Sequence, residues 1–336
     1  MSAPRVYVSR RVPVPVAREL ERLFEVTVHG SERSPSRNEL LQAVEGCDGA
    51  VSMLSDAVDE EFLDAAGRRL RVVANYAVGV DNVDLEAASR RGIVVTNTPD
   101  VLTRATAELT LALVLALLRR VAEGDRLVRS RRPWLWAPTF MLGRGLAGLT
   151  LGCVGLGRIG QEVARLASAL GLRVVYTDRT GVEGGSDPGK KACSFLPLDE
   201  LLLDVDVVSL HCPLTPETRH LIDAAALRSM RPEAVLVNTS RGAIVDERAL
   251  VQALRTKEIA GAALDVYEQE PEVATELLQL DNVVLTPHLG SATEAAREAM
   301  GQLCVDALRE ALLERRCPAN AVDPEAWDVG ANRVRA

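Results

Sequence analysis

The feature that most limits what this chain of 336 residues can fold into is a regular alternation. Short runs rich in Val, Ile, Leu and Ala are each followed by about ten residues with helical spacing of apolar side chains. That order marks βαβ units, whose parallel strands are covered on both faces by crossover helices. A first series comprises "RVYVS" (5–9), "EVTVH" (25–29), "GAVSML" (49–54), "LRVVANY" (70–76) and "IVVTN" (93–97). A second comprises "LTLGCVG" (149–155), "LRVVYTD" (172–178), "DVVSLHC" (206–212), "AVLVNTS" (234–240), "GAALDVY" (261–267) and "NVVLTP" (282–287). Two series predict an α/β chain with two doubly wound parallel sheets, each domain long enough to bury its own core. Aromatic residues make up only 3% of the sequence, so both cores must be aliphatic.

Local signals punctuate the alternation. "SRNELLQAVEG" (36–46) carries a capping box from Ser36 to Glu39 and closes on Gly46, so both helix ends are specified locally. The same logic recurs at 59–67, again ending on glycine. Longer helices are predicted at 103–124, between the two series, and at 291–316, after the last strand. Because the second series is complete before residue 291, the last helix is expected to return to the first domain. The expected division is a discontinuous domain of 1–100 with 289–336, and a continuous one of 101–288, with a cleft that the chain crosses twice. "LTLALVLALL" (109–118) is apolar on nearly all faces, which suits either a buried interdomain helix or a subunit interface. "RPWLWAP" (132–138) places two of the three tryptophans in a Pro-flanked loop, and "RTGVEGGSDPGKKA" (179–192) reads as a solvated, Gly-rich excursion.

Composition excludes several classes of partner. A net charge of −8 leaves no basic face for a phosphate backbone, so nucleic acid is not expected. The start lacks an apolar h-region, and the 109–118 stretch is too short to cross a bilayer, so neither a signal peptide nor a membrane partner is expected. The six cysteines form no CxxC pair, and Cys153 and Cys212 sit in apolar strand runs, which suits a reducing, cytoplasmic setting. No Cys/His cluster has metal-ligand spacing, and no metal is expected.

The strongest local chemistry is "LGCVGLGRIGQEVARLASALG" (151–171), in which Gly155, Gly157 and Gly160 form G-x-G-x-x-G between an apolar strand and a helix. Gly155 permits the tight turn, Gly157 lets backbone approach a pyrophosphate, and Gly160 lets the helix pack on its strand. The free N–H groups and dipole of the helix start attract the anion. The next strand ends at Asp178, 18 residues beyond Gly160, where a carboxylate receives ribose hydroxyls. The same carboxylate would repel the 2′-phosphate of NADP by about 4 kcal/mol per unit charge at an effective dielectric of roughly 20. Arg179 would offset part of this, so NAD(H) is the expected cofactor, with leakage to NADP(H).

Taken in order, "GLGRIG", "HCPLTPETRHLI" (211–222), "LVNTSRGAIVDERALVQAL" (236–254), "GAALDVYEQEP" (261–271) and "NVVLTPHLGSAT" (282–293) resemble the D-2-hydroxyacid dehydrogenases. Within that family the chain is most similar to the glyoxylate/hydroxypyruvate reductases, through "NYAVGVDNVD" (75–84), "NTPDVLTRATAEL" (97–109) and the Trp-containing loop before "FMLGRGLAG" (140–148). The resemblance runs from about residue 5 to "CPANAV" (317–322). It implies a Rossmann cofactor domain, a flavodoxin-like substrate domain and a homodimer formed through the cofactor domain and the 103–124 helix.

The resemblance also implies site residues. Arg241, Glu270 and His288 match the catalytic positions. Cofactor contacts would come from Thr106, Gly155, Gly157, Arg158, Ile159, Gly160, Asp178, Arg179, His211, Cys212, Pro213, Thr218, Thr239, Ser240, Arg241, Asp265, His288 and Gly290. Substrate contacts would come from Leu54, Val78, Gly79, Arg241 and His288, with Val78 and Gly79 offering backbone N–H groups to a carboxylate. His29 and His220 read as peripheral.

The chemistry agrees with these roles. Reducing a 2-oxoacid needs hydride at the carbonyl carbon and a proton at its oxygen. Imidazole is the side chain that titrates nearest neutrality, and a carboxylate from Glu270 on the ring would favour its protonated form. Arg241 offers a planar fork to the substrate carboxylate. Pro287 and Gly290 read as rigid placement of His288 with room for ligand. Domain closure over the nicotinamide would then exclude water. A lone histidine after a strand is commonly only structural; the joint pattern is what points to catalysis. The expected substrates are glyoxylate or hydroxypyruvate. The alternatives are phosphoglycerate or phosphite dehydrogenase activity, or an NADH-sensing corepressor-like scaffold without turnover. Formate dehydrogenases are more remote, because that subgroup has glutamine where Glu270 stands.

Overall fold

The computed structural model describes residues 3–31, 33–179 and 193–335, with side chains described as far as Gly330. The excursion at 179–192 lies, beyond Arg179, outside the described residues. The chain divides into two compact units, one running to Leu102 and resuming at Ala292, the other spanning Thr103–Ser291.

In the first unit, β1 (Arg5–Val8), β2 (Glu25–Val28), β3 (Gly49–Ser52), β4 (Val72–Asn75) and β5 (Val94–Thr96) form a parallel sheet of order β2-β1-β3-β4-β5. This is the flavodoxin-like order. Register sets Val6 opposite both Val26 and Gly49, and Val72 opposite both Gly49 and Val94. β3, β4 and β5 are buried along their whole length, the consequence of helices on both faces.

Helix ends are set locally. α2 (Arg37–Val44) starts from Ser36 through the capping box, and α3 (Glu60–Ala66) from the Asp59 carboxylate, which accepts the Phe62 N–H. Gly46 and Gly67 follow them with φ of +67° and +77°, where a side chain would be strained. α12 (Glu294–Leu312) packs on α1 (Val14–Leu23) in this unit. At their crossing, a Cβ on Gly301 would lie 2.5 Å from Val16 Cγ2, so only glycine allows the approach. After α12 the chain runs antiparallel along the open edge of β5, with Val322 N–H donating to the Val95 carbonyl at 2.8 Å. α13 (Glu325–Arg335), in a stretch whose role the sequence leaves unread, then lies on α4 (Leu85–Arg90). There the backbones of Gly92 and Gly330 touch, and Arg71 stacks 5.5 Å from the centre of the Trp327 ring.

The second unit holds seven strands among the described residues: β6 (Thr150–Val154), β7 (Arg173–Thr177), β8 (Ser194–Phe195), β9 (Val207–Leu210), β10 (Val235–Asn238), β11 (Gly261–Leu264) and β12 (Val283–Leu285). Their order is β12-β11-β10-β9-β6-β7-β8, all parallel. The order reverses between β6 and β9. In such Rossmann sheets ligands bind beyond the strand ends at that reversal. β8 is absent from the sequence reading, because two residues have no periodicity to detect.

The helix expected over 103–124 is two helices, α5 (Thr103–Leu118) and α6 (Val121–Arg129). The cause is tertiary. The Leu118 carbonyl, which a continuing helix would use, accepts the Arg144 N–H at 2.9 Å, and Arg120 turns left-handed with φ of +55°. The apolar stripe of α5 buries Ala107, Leu111, Leu113, Val114 and Leu118 within its own unit, in the same cluster as Leu151, Val163 and Val237. The helix expected over 291–316 is shorter, starting at the Thr293 cap.

Candidate active site

The glycine turn is built by exclusion. Gly155 follows β6 with φ of +95°, and its N–H donates to the Thr177 carbonyl at 2.8 Å. A Cβ there would lie 2.7 Å from Cys212 N, on the chain leaving β9, so the turn sits at the reversal of strand order. Gly157 caps α7 (Arg158–Ala169) and has open space where its side chain would be. Gly160 is buried, and a Cβ on it would come 2.4 Å from the Gly155 carbonyl oxygen. Strained turn, open approach and close packing are thus divided among the three glycines. Arg158 and Ile159 form the first turn of α7, and a helix start of this kind suits an anion.

Asp178 is half-buried directly after β7. Arg179 is exposed, and its charge helps hold the Glu217 carboxyl below the ordinary range, after the larger effect of the Thr215 hydroxyl. His211 leaves β9 with its N–H on the Val154 carbonyl at 2.8 Å, and its ring Nε2 lies 2.9 Å from Ser209 Oγ. Burial pushes the imidazole down to about 4, so it is neutral at pH 7. Burial likewise pushes the Cys212 thiol up to about 11, away from reactivity. Ser240 Oγ donates to the Cys212 carbonyl at 2.5 Å. The buried Thr218 hydroxyl donates to the Pro213 carbonyl at 2.7 Å and accepts the Thr215 N–H at 2.7 Å, which engages it within its own turn. Thr239 and Thr110 join hydroxyls at 2.9 Å, and Thr106 Oγ1 donates to the Gly290 carbonyl at 3.2 Å. These residues fit a dinucleotide: a glycine turn open to solvent, a helix start behind it and a carboxylate closing the next strand.

Arg241, Glu270 and His288 each follow a strand of the same unit. Asn238 shapes the first turn, its Nδ2 donating to the Arg241 carbonyl at 2.8 Å while its Oδ1 accepts the Ser240 N–H at 3.0 Å. Gly242 then rests directly on the 267–268 backbone. A Cβ there would lie 1.9 Å from the Tyr267 carbonyl carbon, so the arginine turn and the glutamate loop are joined backbone to backbone. Glu270 Oε1 accepts the Tyr267 N–H at 3.0 Å, and Oε2 lies 2.7 Å from His288 Nδ1. Burial alone would raise the Glu270 carboxyl. The hydrogen bond and charge of His288, the Tyr267 N–H and the charge of Arg241 outweigh it and hold the carboxyl below its ordinary value. An ionised carboxylate only accepts, so the Nδ1 facing it carries a proton and Nε2 is left to exchange one with a ligand.

The placement of His288 depends on a residue whose structural role spacing did not reveal. Asp265, fully buried after β11, accepts Thr286 Oγ1 at 2.6 Å and the Leu289 N–H at 2.7 Å on Oδ1, and the Gly290 N–H at 2.8 Å on Oδ2. Its carbonyl accepts the His288 N–H at 2.9 Å, and His288 takes the left-handed φ of +55° within this grip. A Cβ at Gly290 would meet only ordinary contacts near 3.5 Å, so the carboxylate, and not clearance at that glycine, defines the turn. The Tyr267 hydroxyl adds a brace, donating to the Thr286 carbonyl at 3.0 Å. An acid inside the apolar run "GAALDVY" was the available signal, since a buried carboxylate requires partners. His220, read as peripheral, places Nε2 2.6 Å from Glu268, two residues before Glu270.

Leu54, Val78 and Gly79 belong to the other unit. Leu54 is half-buried in the turn after β3; Val78 and Gly79 are half-buried after β4.

The chain is similar to known proteins over most of its length. The family model "D-isomer specific 2-hydroxyacid dehydrogenase, NAD binding domain" matches residues 111–290. A glyoxylate reductase of Pyrococcus furiosus is 49% identical over 304 residues, covering 89% of this chain and 90% of its own. A crystal structure from Thermus thermophilus superposes with a TM-score of 0.88 at 49% identity, covering 95% of this chain and all of that one. The NADPH-dependent glyoxylate/hydroxypyruvate reductase of Sinorhizobium meliloti, in complex with NADP and malonate, superposes with a TM-score of 0.82 at 34% identity, covering 97% and 98% of the two chains.

Proposed function

Because the chain belongs to the D-isomer specific 2-hydroxyacid dehydrogenase family, we propose that it reduces a small 2-oxoacid, glyoxylate or hydroxypyruvate, to the D-2-hydroxyacid. The observation that carries this reading is His288 Nδ1 held 2.7 Å from an ionised Glu270, with Arg241 close enough to lower that carboxyl. When bound, the reduced nicotinamide supplies hydride to the carbonyl carbon. His288 gives the proton on Nε2 to the carbonyl oxygen, and Glu270 stabilises the imidazolium before transfer and fixes the ring. Arg241 binds the substrate carboxylate and draws electron density from the carbonyl. Val78 and Gly79 offer further N–H groups to that carboxylate, and Leu54 packs against the substrate.

The glycine turn, the first turn of α7 and Asp178 would hold the dinucleotide. Asp178 favours NAD(H) over NADP(H), with Arg179 offsetting part of the repulsion of a 2′-phosphate. NADP binding by the Sinorhizobium relative makes this preference a matter of degree.

We place the enzyme in the cytosol, where its six free cysteines stay reduced. We propose that it works as a homodimer through the arm after α5. That arm exposes Val121, Val128, Trp134, Leu135, Trp136, Phe140 and Leu142, with Leu135 82% and Trp136 75% exposed, an apolar surface that a monomer would leave in water. No helix among the described residues is long and apolar enough to cross a membrane.

An NADH absorbance assay against a panel of 2-oxoacids tests the function. Turnover with glyoxylate or hydroxypyruvate is expected; tight NADH binding with no turnover on any member would replace the reductase by a sensor.

A further inference from the structure

Within the first unit, a cluster of three asparagines organises the two loops to which substrate contacts are assigned. Asn75, at the end of β4, is fully buried with every amide position used. Its Oδ1 accepts Ser52 Oγ at 3.0 Å and Asn82 Nδ2 at 3.2 Å; its Nδ2 donates to the Gly79 carbonyl at 2.8 Å and to Asn82 Oδ1 at 3.3 Å. Asn82 Nδ2 also reaches the carbonyls of Met53 at 3.1 Å and Asp56 at 3.0 Å, the two ends of the turn that carries Leu54. Asn97 Nδ2 donates to the Val78 carbonyl at 2.8 Å.

The result is asymmetric. Both carbonyls of the Val78–Gly79 pair are drawn inward onto side-chain amides, while neither N–H has a protein acceptor among the described residues. A peptide plane held by its oxygen points the N–H of the following residue the other way: Asn97 on the Val78 carbonyl sets the Gly79 N–H, Asn75 on the Gly79 carbonyl sets the Val80 N–H, and the Val78 N–H is set by the Ala77 carbonyl, which accepts the Thr98 N–H at 2.8 Å. Because Asn82 is shared with Asn75, the same cluster ties this pair to the Leu54 turn.

We propose that Asn75, Asn82 and Asn97 are positioning residues: Asn97 presets the Gly79 amide for the substrate carboxylate, Asn75 fixes the peptide that follows it, and Asn82 holds the Leu54 turn in register with that loop. This rests on the reading that Val78 and Gly79 bind that carboxylate. None of the three touches the reacting atoms; their effect is to remove the ordering cost of the loop from substrate binding.

Two measurements separate the inference from its premise. In wild type, amide hydrogen exchange over 76–82 is followed on adding oxamate to the NADH complex; slowed exchange at Val78 and Gly79 is expected. In parallel, Asn97→Ala and Asn75→Leu, both uncharged so as not to repel the substrate, are assayed with glyoxylate. The expected result is a KM raised about tenfold, kcat within about threefold of wild type, and an unchanged Kd for NADH, which is assigned to the other unit. If Asn75→Leu does not fold, Asn97→Ala carries the test. Slowed exchange in wild type with unchanged KM in a folded variant overturns the positioning role and leaves the carboxylate reading standing. So does a loss of kcat that only tracks a lowered Tm. Exchange that oxamate does not slow overturns the premise and the inference together.

Discussion

Asp265 holds the backbone of His288 twice over: its carbonyl takes the His288 N–H at 2.9 Å, and its carboxylate takes the two amides that follow. The catalytic candidate therefore sits in a turn whose shape is decided by a buried charge on a neighbouring strand end. Asp265→Asn replaces an acceptor oxygen by a donor facing an N–H. Hydrogen bonds to a charged group contribute about 1.5–3 kcal/mol each. A Tm lowered by roughly 5–10 °C is expected, with kcat down at least about tenfold as the imidazole loses its placement. Wild-type melting and turnover would show that the turn holds itself.

His288→Ala removes the proton donor and leaves the glycine turn untouched. Turnover should fall by about 10²–10⁴-fold with NADH binding nearly intact. Equal losses in both, measured by fluorescence titration and steady-state kinetics, would mark the histidine as structural.

The pH profile isolates Glu270. Its carboxyl lies below the ordinary value, so it is an anion throughout the neutral range, hydrogen-bonded at 2.7 Å to the ring that carries the transferred proton. Reduction consumes that proton, so the reductive rate declines as pH rises. Glu270→Gln removes the charge while keeping the shape, and the decline should move to lower pH. An unmoved profile would take Glu270 out of this role.

A second carboxylate predicts acid stability without touching chemistry. Glu162 is held down to about 2, first by its hydrogen bond with Arg165 and then, against burial, by Arg104. A carboxyl lower in the folded than in the unfolded chain stabilises fully above its unfolded value near 4.5, and that stabilisation is lost as pH falls toward 2. Glu162→Gln should therefore be less stable than wild type near neutrality and converge with it between pH 4.5 and 2. Parallel curves in denaturant titrations across that window would contradict the shift.

Asp178→Ala tests cofactor choice. Removing a carboxylate that would face a 2′-phosphate should raise the NADP to NAD ratio of kcat/KM by at least about tenfold, since the repulsion is about 4 kcal/mol before solvent screening. An unchanged ratio would place the ribose elsewhere.

Strand positions, the Ser36 capping box and the glycine turn were legible because each depends on residues within a few positions of one another. Alternation sets which segments are buried, Ser36 reaches Glu39, and the positive φ of Gly155 needs only the absence of a side chain. The roles expected of Arg241, Glu270 and His288 came from a resemblance, since no spacing says that residues 18 positions apart will meet at 2.7 Å.

What tertiary structure alone decided is where distant groups compete for backbone. Arg144 ends α5 by taking the Leu118 carbonyl, Asp265 shapes the His288 turn from 21 to 25 positions away, and Asn82 grips Met53 across 29. A hydrogen bond of that kind leaves no period or local motif in the chain. It exists only because parallel strands bring their carboxyl ends side by side, where a buried polar group must find whichever partner the sheet delivers.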